Sequence, residues 1–374
     1  MVPATRRRPV ALVCDATGFG GAEAYLATLV AALSGEHDFV AIVGERTGAD
    51  AVARLVDAGA RIARVPGLGR VPQSAALRRL TATLRAAGPV LVHANATDQG
   101  DGLSAILAAR ALRLPLAVTV HLAVGGRSAR HEALSGWALR RAGAVIAVSD
   151  AVGAHLAGLG VPAVVVRNGM PVPRAAPGAR AALGVDEDAV LIGAIGRLSA
   201  QKGWDVLCRA VPALHERCPG AVVAIVGEGP ERERLQPLAR EHGVRLLGAR
   251  ADAAALLCAF DVLAAPSRYE GLPLVPIEAL HAGVPVVAAD VDGLRDVVGD
   301  AGVLVAPGDA DALGAALGRL AADPPQRAAL AVRGRARAAA LFGVERMARE
   351  TLTIYERLAL TAPVGAAPSV TIRA

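Results

Sequence analysis

"GAIGRLSAQKGWDVL", residues 193–207, reads as the end of a buried strand, a short loop and the start of a helix. Small apolar residues run up to Gly196, Arg197 then stands at the carboxyl end of the strand, and "WDVL" resumes with helical character. Lys202, five residues after Arg197 and at the start of that helix, is the only lysine among the chain's 40 basic residues. Arginine offers a planar fork and lysine a compact point charge, so the pair suits a pyrophosphate, to which helix N-terminal amides would add their field. The competing reading is two solvated cations in a loop. A parallel strand that ends in a glycine turn and feeds a helix is the repeating unit of an α/β sheet, and the rest of the chain can be tested for the same unit.

It recurs along both flanks. Short Val/Ala-rich runs are spaced by helix-length segments: "PVALVC", "DFVAIVG", "PVLVHA", "PLAVTVH", "AVIAVS" and "AVVVRN" before the quoted stretch, then "AVLIGAIG", "AVVAIVG", "VRLLG", "DVLAAPS", "VPVVAA" and "GVLVAP". Non-alternating apolar runs of this kind mark strands buried on both faces. Two successive βα arrays follow, joined near "NGMPVPRAAPGARAALG" at 168–184, where prolines and glycines cluster. The predicted divisions are a first domain over 1–172, a second over 173–345, a helix over 346–360 and a disordered Pro/Ala tail over 361–374. In sheets of this type ligands bind outside the carboxyl ends of the strands, so the loops after these runs are where chemistry belongs.

Composition supports the division. At 374 residues the chain exceeds one ordinary core, and its 53% hydrophobic content with few aromatics makes that core from Ala, Val, Leu and Ile. The four cysteines, Cys14, Cys208, Cys218 and Cys258, are scattered without metal spacing, which fits small core residues in a reducing, cytoplasmic setting. No apolar run is long enough to span a membrane. The N-terminal "RRRPVALVCD" imitates a leader, yet its apolar run stops at Cys14, and it reads as the first strand. The net charge of +6 is carried by the first half, but no stacking platform or nucleic-acid module accompanies it, so no nucleic-acid partner is expected. A basic amphipathic stretch, "SAALRRLTATLRAAG" at 74–88, lacks Trp and Phe on its apolar side and reads as packing on the sheet rather than on a membrane.

A second constellation, "SRYEGLPLVPIEAL" at 267–280, sets Glu270 in the loop after a strand. Pro276 reads as opening a helix, with Glu278 in its first turn. One carboxylate on a loop and one on a helix can bind two different polyols from one side. A carboxylate near a helix start also suits the macrodipole, which accounts for Glu278 without a ligand but not for Glu270 followed by Gly271.

The order Gly196-Arg197-Leu198, Lys202-Gly203, "GEGPER" at 227–232, Ser267, Glu270 to Glu278 and "HAGVPVVA" at 281–288 closely resembles family 4 of the retaining glycosyltransferases. The resemblance implies the GT-B architecture, an α/β fold of two facing Rossmann-like domains with a cleft between them and a C-terminal helix able to cross back. It implies a nucleoside diphosphate sugar as co-substrate, with no cofactor and no metal. Arg197 and Lys202 would bind the diphosphate, Glu278 the ribose hydroxyls, and Glu270 with the amides of Gly271 and Leu272 the transferred sugar. In the first half "GFGGAEAYLATL" matches the family's glycine loop, giving Gly20 and Gly21 a donor-side role. His121 ends "VTVH" where the family often has His-Asp; here Leu122 replaces the acid. "AVSD" at 147–150 and "RNGM" at 167–170 also match.

The implied reaction is transfer of a sugar to an acceptor hydroxyl with retention. No side chain is poised as a nucleophile for double displacement, which favours front-face attack, with Arg197, Lys202, Glu270 and His121 as the catalytic set. Asp15, Glu23, Asp98 and Asp101 fall at carboxyl ends of first-domain strands. They could bind a cationic polyol such as an amino sugar or aminocyclitol, or act as helix caps and turn acids. A lipid or polysaccharide-precursor acceptor, a sugar-nucleotide epimerase and a donor-binding partner subunit are the alternatives. Asp290 and Asp292, and Asp309 and Asp311, imitate a metal-binding DxD but read as caps or turns. Trp137 reads as core, and His93 as either a cleft or a structural residue.

Overall fold

The computed structural model describes residues 8–14, 20–69, 72–123 and 128–360. Asp15 and the tail over 361–374 lie outside the described residues. The described residues divide into two compact units, one formed by those up to Val166 together with Val344–Leu360, the other by Arg167–Gly343.

In the first unit seven parallel strands, β1 (Val10–Cys14), β2 (Phe39–Gly44), β3 (Arg61–Val65), β4 (Leu91–Ala96), β5 (Leu116–Val120), β6 (Ala144–Ala147) and β7 (Val164–Val165), lie in the order β3-β2-β1-β4-β5-β6-β7. In the second, β8 (Leu191–Ile195), β9 (Val222–Val226), β10 (Arg245–Leu246), β11 (Val262–Ala265), β12 (Val286–Ala289) and β13 (Val303–Val305) form a parallel sheet ordered β10-β9-β8-β11-β12-β13. Helices flank each sheet. In both sheets the winding direction reverses beside the first strand, between β1 and β4 and between β8 and β11, and the crevice at such a reversal is where α/β sheets bind ligands. Every predicted strand run is found. β3, "RIARV", was not predicted: it is an edge strand in which only Val65 is buried, so it lacks the apolar run that marks the others.

The helix Val344–Leu360 completes the first unit. Met347, Ala348, Ile354, Tyr355 and Leu358 enter its core with Leu12, Tyr25, Leu29 and Phe39. Beneath this helix, His93 of β4 joins Tyr355 Oη at 2.5 Å through Nδ1 and Thr119 of β5 at 2.7 Å through Nε2. His93 is therefore a structural residue, and burial holds it uncharged, with its pKa lowered to about 4. The unfolded ring takes its proton near pH 6.5 and the folded ring only near 4, so stability is complete above about pH 6.5 and declines as the pH falls through that window. Urea melts between pH 7 and 4 are expected to show this decline, and His93→Asn to flatten it while lowering stability at pH 7.

The basic helix Ser74–Ala87 buries Ala76, Leu80 and Leu84 and exposes Arg78, Arg79 and Arg85, as its pattern predicts. Trp137 corrects the sequence reading. The helix Ala129–Leu139 buries Ser135, Gly136, Ala138 and Leu139, which turns Trp137 outward at 41% exposure with the Arg141 guanidinium 3.5 Å from its ring centre.

Candidate active site

The carboxyl end of β8 carries the lysine. After Gly196 the chain turns through Arg197 and Leu198 into a short 3₁₀ turn, Ala200–Lys202, and the helix Trp204–His215 begins beyond Gly203. Two glycines make this route possible. Gly203 has φ +67°, and a Cβ there would lie 2.1 Å from the Pro266 carbonyl oxygen; a Cβ on Gly227, at the end of β9, would lie 1.9 Å from the Gly196 oxygen. Trp204 is buried and donates its indole N–H to the Arg197 carbonyl at 2.9 Å, locking the turn. The Arg197 side chain is exposed and makes no side-chain hydrogen bond or ion pair among the described residues.

The loop after β11 meets this turn. Lys202 Nζ donates to Glu270 Oε1 at 2.6 Å, and Ser267 Oγ donates to the same oxygen at 2.8 Å. The carboxylate is 8% exposed and the lysine 24%, so the pair is largely shielded from water. Gln201 donates to the Tyr269 carbonyl at 3.0 Å. Lys202 keeps two further ammonium protons for other acceptors. Among the described residues the amides of Gly271 and Leu272 have no hydrogen-bond acceptor, although both residues are buried.

The helix that follows begins earlier than predicted. It spans Leu274–Ala282 with Pro273 at its N-cap, so Pro276 is its third residue and Glu278 lies in the second turn. Proline is tolerated there because the first turn's amides have no intrahelical acceptor. Glu278 is half-buried, and its charge helps raise the Cys258 thiol pKa after burial of that thiol. A pocket in this unit is lined by Lys202, Trp204, Ser267, Glu270, Pro273 and Leu294 among others; Arg197 and Glu278 do not line it.

Arg268 and Asp205, which the sequence reading missed, hold the two loops together. Arg268 donates to Asp205 through both terminal nitrogens, at 2.9 and 2.8 Å, and to the Ala200 carbonyl at 2.7 Å, while its own amide donates to Gln201 O at 2.7 Å. Burial alone would raise the Asp205 carboxyl, but the hydrogen bonds from Arg268 and Arg209 outweigh it and bring the pKa down to about 2. A depressed carboxyl contributes stability that is complete above the unfolded pKa near 4 and is lost as the pH falls toward 2. Arg268→Ala is expected to bring the folded Asp205 carboxyl closer to its unfolded value, shrinking that acid-dependent loss while lowering stability at neutral pH, and to loosen the Lys202 turn, read by chemical denaturation at pH 2–7 and by backbone exchange of residues 200–203.

In the first unit Gly20 is the N-cap of the helix Gly21–Leu33, and its amide donates to Glu23 Oε2 at 2.8 Å. Glu23 is buried, and its other oxygen faces the Cys14 thiol. Asp98 and Asp101 are buried in one turn: Gly100 N donates to Asp98 Oδ1 at 2.8 Å and Asp98 N to Asp101 Oδ2 at 3.1 Å. These are the bonds of a cap and a turn, the alternative that the sequence left open. His121, beyond β5, meets Asn95 Oδ1 through Nε2 at 2.8 Å. Burial, and then the neighbouring His93, lower its pKa to about 3. Asp309 caps the helix Ala310–Ala322, and Asp290 and Asp292 both bind Arg295.

The two units match two family models, a "Glycosyl transferase 4-like domain" over residues 20–169 and "Glycosyl transferases group 1" over 189–323. The chain is 32% identical over 274 residues to the lipopolysaccharide core biosynthesis mannosyltransferase LpsB of Rhizobium meliloti, covering 68% of this chain and 76% of LpsB. It is 39% identical over 180 residues to the GDP-mannose-dependent alpha-(1-6)-phosphatidylinositol monomannoside mannosyltransferase of Mycolicibacterium smegmatis, a match spanning 44% of this chain and 47% of that protein. In fold it resembles Anabaena HepE, solved with UDP and glucose, at a TM-score of 0.80 and 22% identity over 94% of this chain and all of that one. With both units matched and a relative similar across most of its length, the chain belongs to the group 1, 4-like glycosyltransferases of GT-B fold.

Proposed function

We propose that the protein moves a sugar from a nucleoside diphosphate sugar to an acceptor hydroxyl with retention at the anomeric carbon. The observation that carries this reading is the Lys202–Glu270–Ser267 contact where the loops after β8 and β11 meet, beside the sheet's reversal point. Lys202 and the exposed fork of Arg197 are suited to the diphosphate. Glu270 and the amides of Gly271 and Leu272 are suited to sugar hydroxyls, and Glu278 to the ribose. The bond from C1 to the diphosphate oxygen breaks as the acceptor oxygen bonds C1 on the same face, and the acceptor proton passes to the departing phosphate. Positive charge placed where negative charge develops is the main catalytic contribution.

Uridine and guanosine diphosphate sugars are the first donors to try, since HepE was solved with UDP and glucose and one mannosyltransferase relative is GDP-mannose-dependent. The names of the relatives, which act in lipopolysaccharide core, phosphatidylinositol mannoside and D-inositol 3-phosphate glycosylation, favour a polyol or glycolipid acceptor. The aminocyclitol reading loses support from the cap and turn roles of Glu23, Asp98 and Asp101, and the supply of such donors favours a cytoplasmic site of action. The test incubates the protein with each donor and with inositol phosphate, glycolipid and aminocyclitol acceptors, with and without EDTA, and follows product mass and anomeric configuration. A hexose added with retention, chelator present, is the expected result; free nucleoside diphosphate without a glycosylated product overturns the transfer reading.

A further inference from the structure

Asn95, at the end of β4, has a defined orientation. Its Nδ2 lies 3.1 Å from the Ala22 carbonyl oxygen, which can only accept, so the amide nitrogen must face it. The amide oxygen then faces His121 Nε2 at 2.8 Å, and an oxygen there requires a proton on Nε2. The same helical turn that supplies the Ala22 carbonyl supplies Tyr25, whose ring packs edge-on against His121 at 4.8 Å and 69°. The strand register sets Asn95 opposite Thr119, and the His121 amide donates to the Ala96 carbonyl at 3.1 Å. Asn95 is buried and His121 is 9% exposed. Glycine-loop helix, β4 and β5 are thereby tied through one amide to one imidazole.

We propose that Asn95 is a positioning residue for the transfer site: it fixes His121 as an uncharged ring protonated on Nε2, leaving Nδ1 as a lone pair that accepts from a substrate hydroxyl and disfavours phosphate oxygen. The proposal rests on His121 belonging to the glycosyl-transfer site. Its chemical content is that a ring with no donor at Nδ1 selects an O–H partner, whereas an imidazolium would select an anion. The buried titratable groups on the elements packed around the ring are Tyr25 and Glu23 of the helix Gly21–Leu33, His93 of β4 and Tyr355 of the helix Val344–Leu360. Glu23 is bonded to the Gly20 amide, His93 is neutral, and Tyr25 and Tyr355 keep their protons because burial raises both phenols.

The full chain, labelled with ¹⁵N-histidine, tests this without any substrate, His121→Phe assigning the resonance. The wild type is expected to hold the Nε2–H tautomer from pH 8 to 5. In Asn95→Asp, of the same shape, a carboxylate replaces the amide, and the His121 ring should become protonated within that range. A wild-type ring protonated on Nδ1, or an Asn95→Asp ring that titrates as in the wild type, overturns the proposal. Turnover with the donor found above adds a second reading: Asn95→Leu should cost about three- to tenfold, the scale of one lost hydrogen bond, and nothing further in a His121→Phe background. Equal losses in both backgrounds would make Asn95 a strut and overturn its positioning role. Should Asn95→Leu not fold, the wild-type and Asn95→Asp spectra decide. Absence of transfer by the wild type would instead strike the functional reading, leaving the tautomer result standing.

Discussion

Lys202→Ala is expected to lower turnover by about 10²–10³, the scale for losing one preorganised group that stabilises developing charge. The same change leaves the nearly buried Glu270 carboxylate with Ser267 and Gln201 as its side-chain donors among the described residues, so a stability loss of about 1–3 kcal/mol should accompany it. The two effects separate. Adding Glu270→Gln to Lys202→Ala removes the uncompensated charge and should recover most of the stability and none of the turnover. Lys202→Arg should fall between, because a planar fork cannot place one compact charge against Glu270 and a phosphate together. Steady-state rates and thermal melts of the four proteins check this, and a wild-type rate in Lys202→Ala would remove the lysine from the reaction.

Gly203→Ala should have the largest effect on stability of any single methyl addition in this loop, about 2–4 kcal/mol. The positive φ alone strains an alanine, and the added methyl would meet a main-chain oxygen of the loop after β11, which cannot move without taking Ser267 and Glu270 with it. Donor affinity should fall in step with stability. A melting temperature within a degree of the wild type would mean that the two loops are less tightly joined than their contacts imply.

The sequence made the architecture legible because strands buried on both faces must be continuously apolar, and twelve such apolar runs leave few alternatives. It failed at β3, where an edge position allows arginines, and at Trp137, where a helix with a weak apolar face gives no sign of which side turns outward. Within the site, Lys202 stood out by residue type alone. Its pairing with Glu270 did not, since the two lie 68 positions apart and only the sheet order brings β8 beside β11. Arg268 and Asp205 were invisible for a related reason: in a chain this rich in arginine, one more guanidinium carries no signal until its carboxylate is seen. The helix start at Leu274 was misplaced because proline was taken as an opener, although any first-turn position tolerates it.

The helix Val344–Leu360 carries a consequence for synthesis. A ribosome makes Arg167–Gly343 before the residues that seal the first sheet, so the earlier-made unit keeps the seats of Met347, Tyr355 and Leu358 open until that helix arrives. Until those seats are filled, the half-built unit presents the kind of surface that chaperones bind and proteases recognise. A ribosome that stops short of Val344 would therefore leave a defect in the part of the protein it made first, and the order of manufacture becomes a check on whether the message was read through.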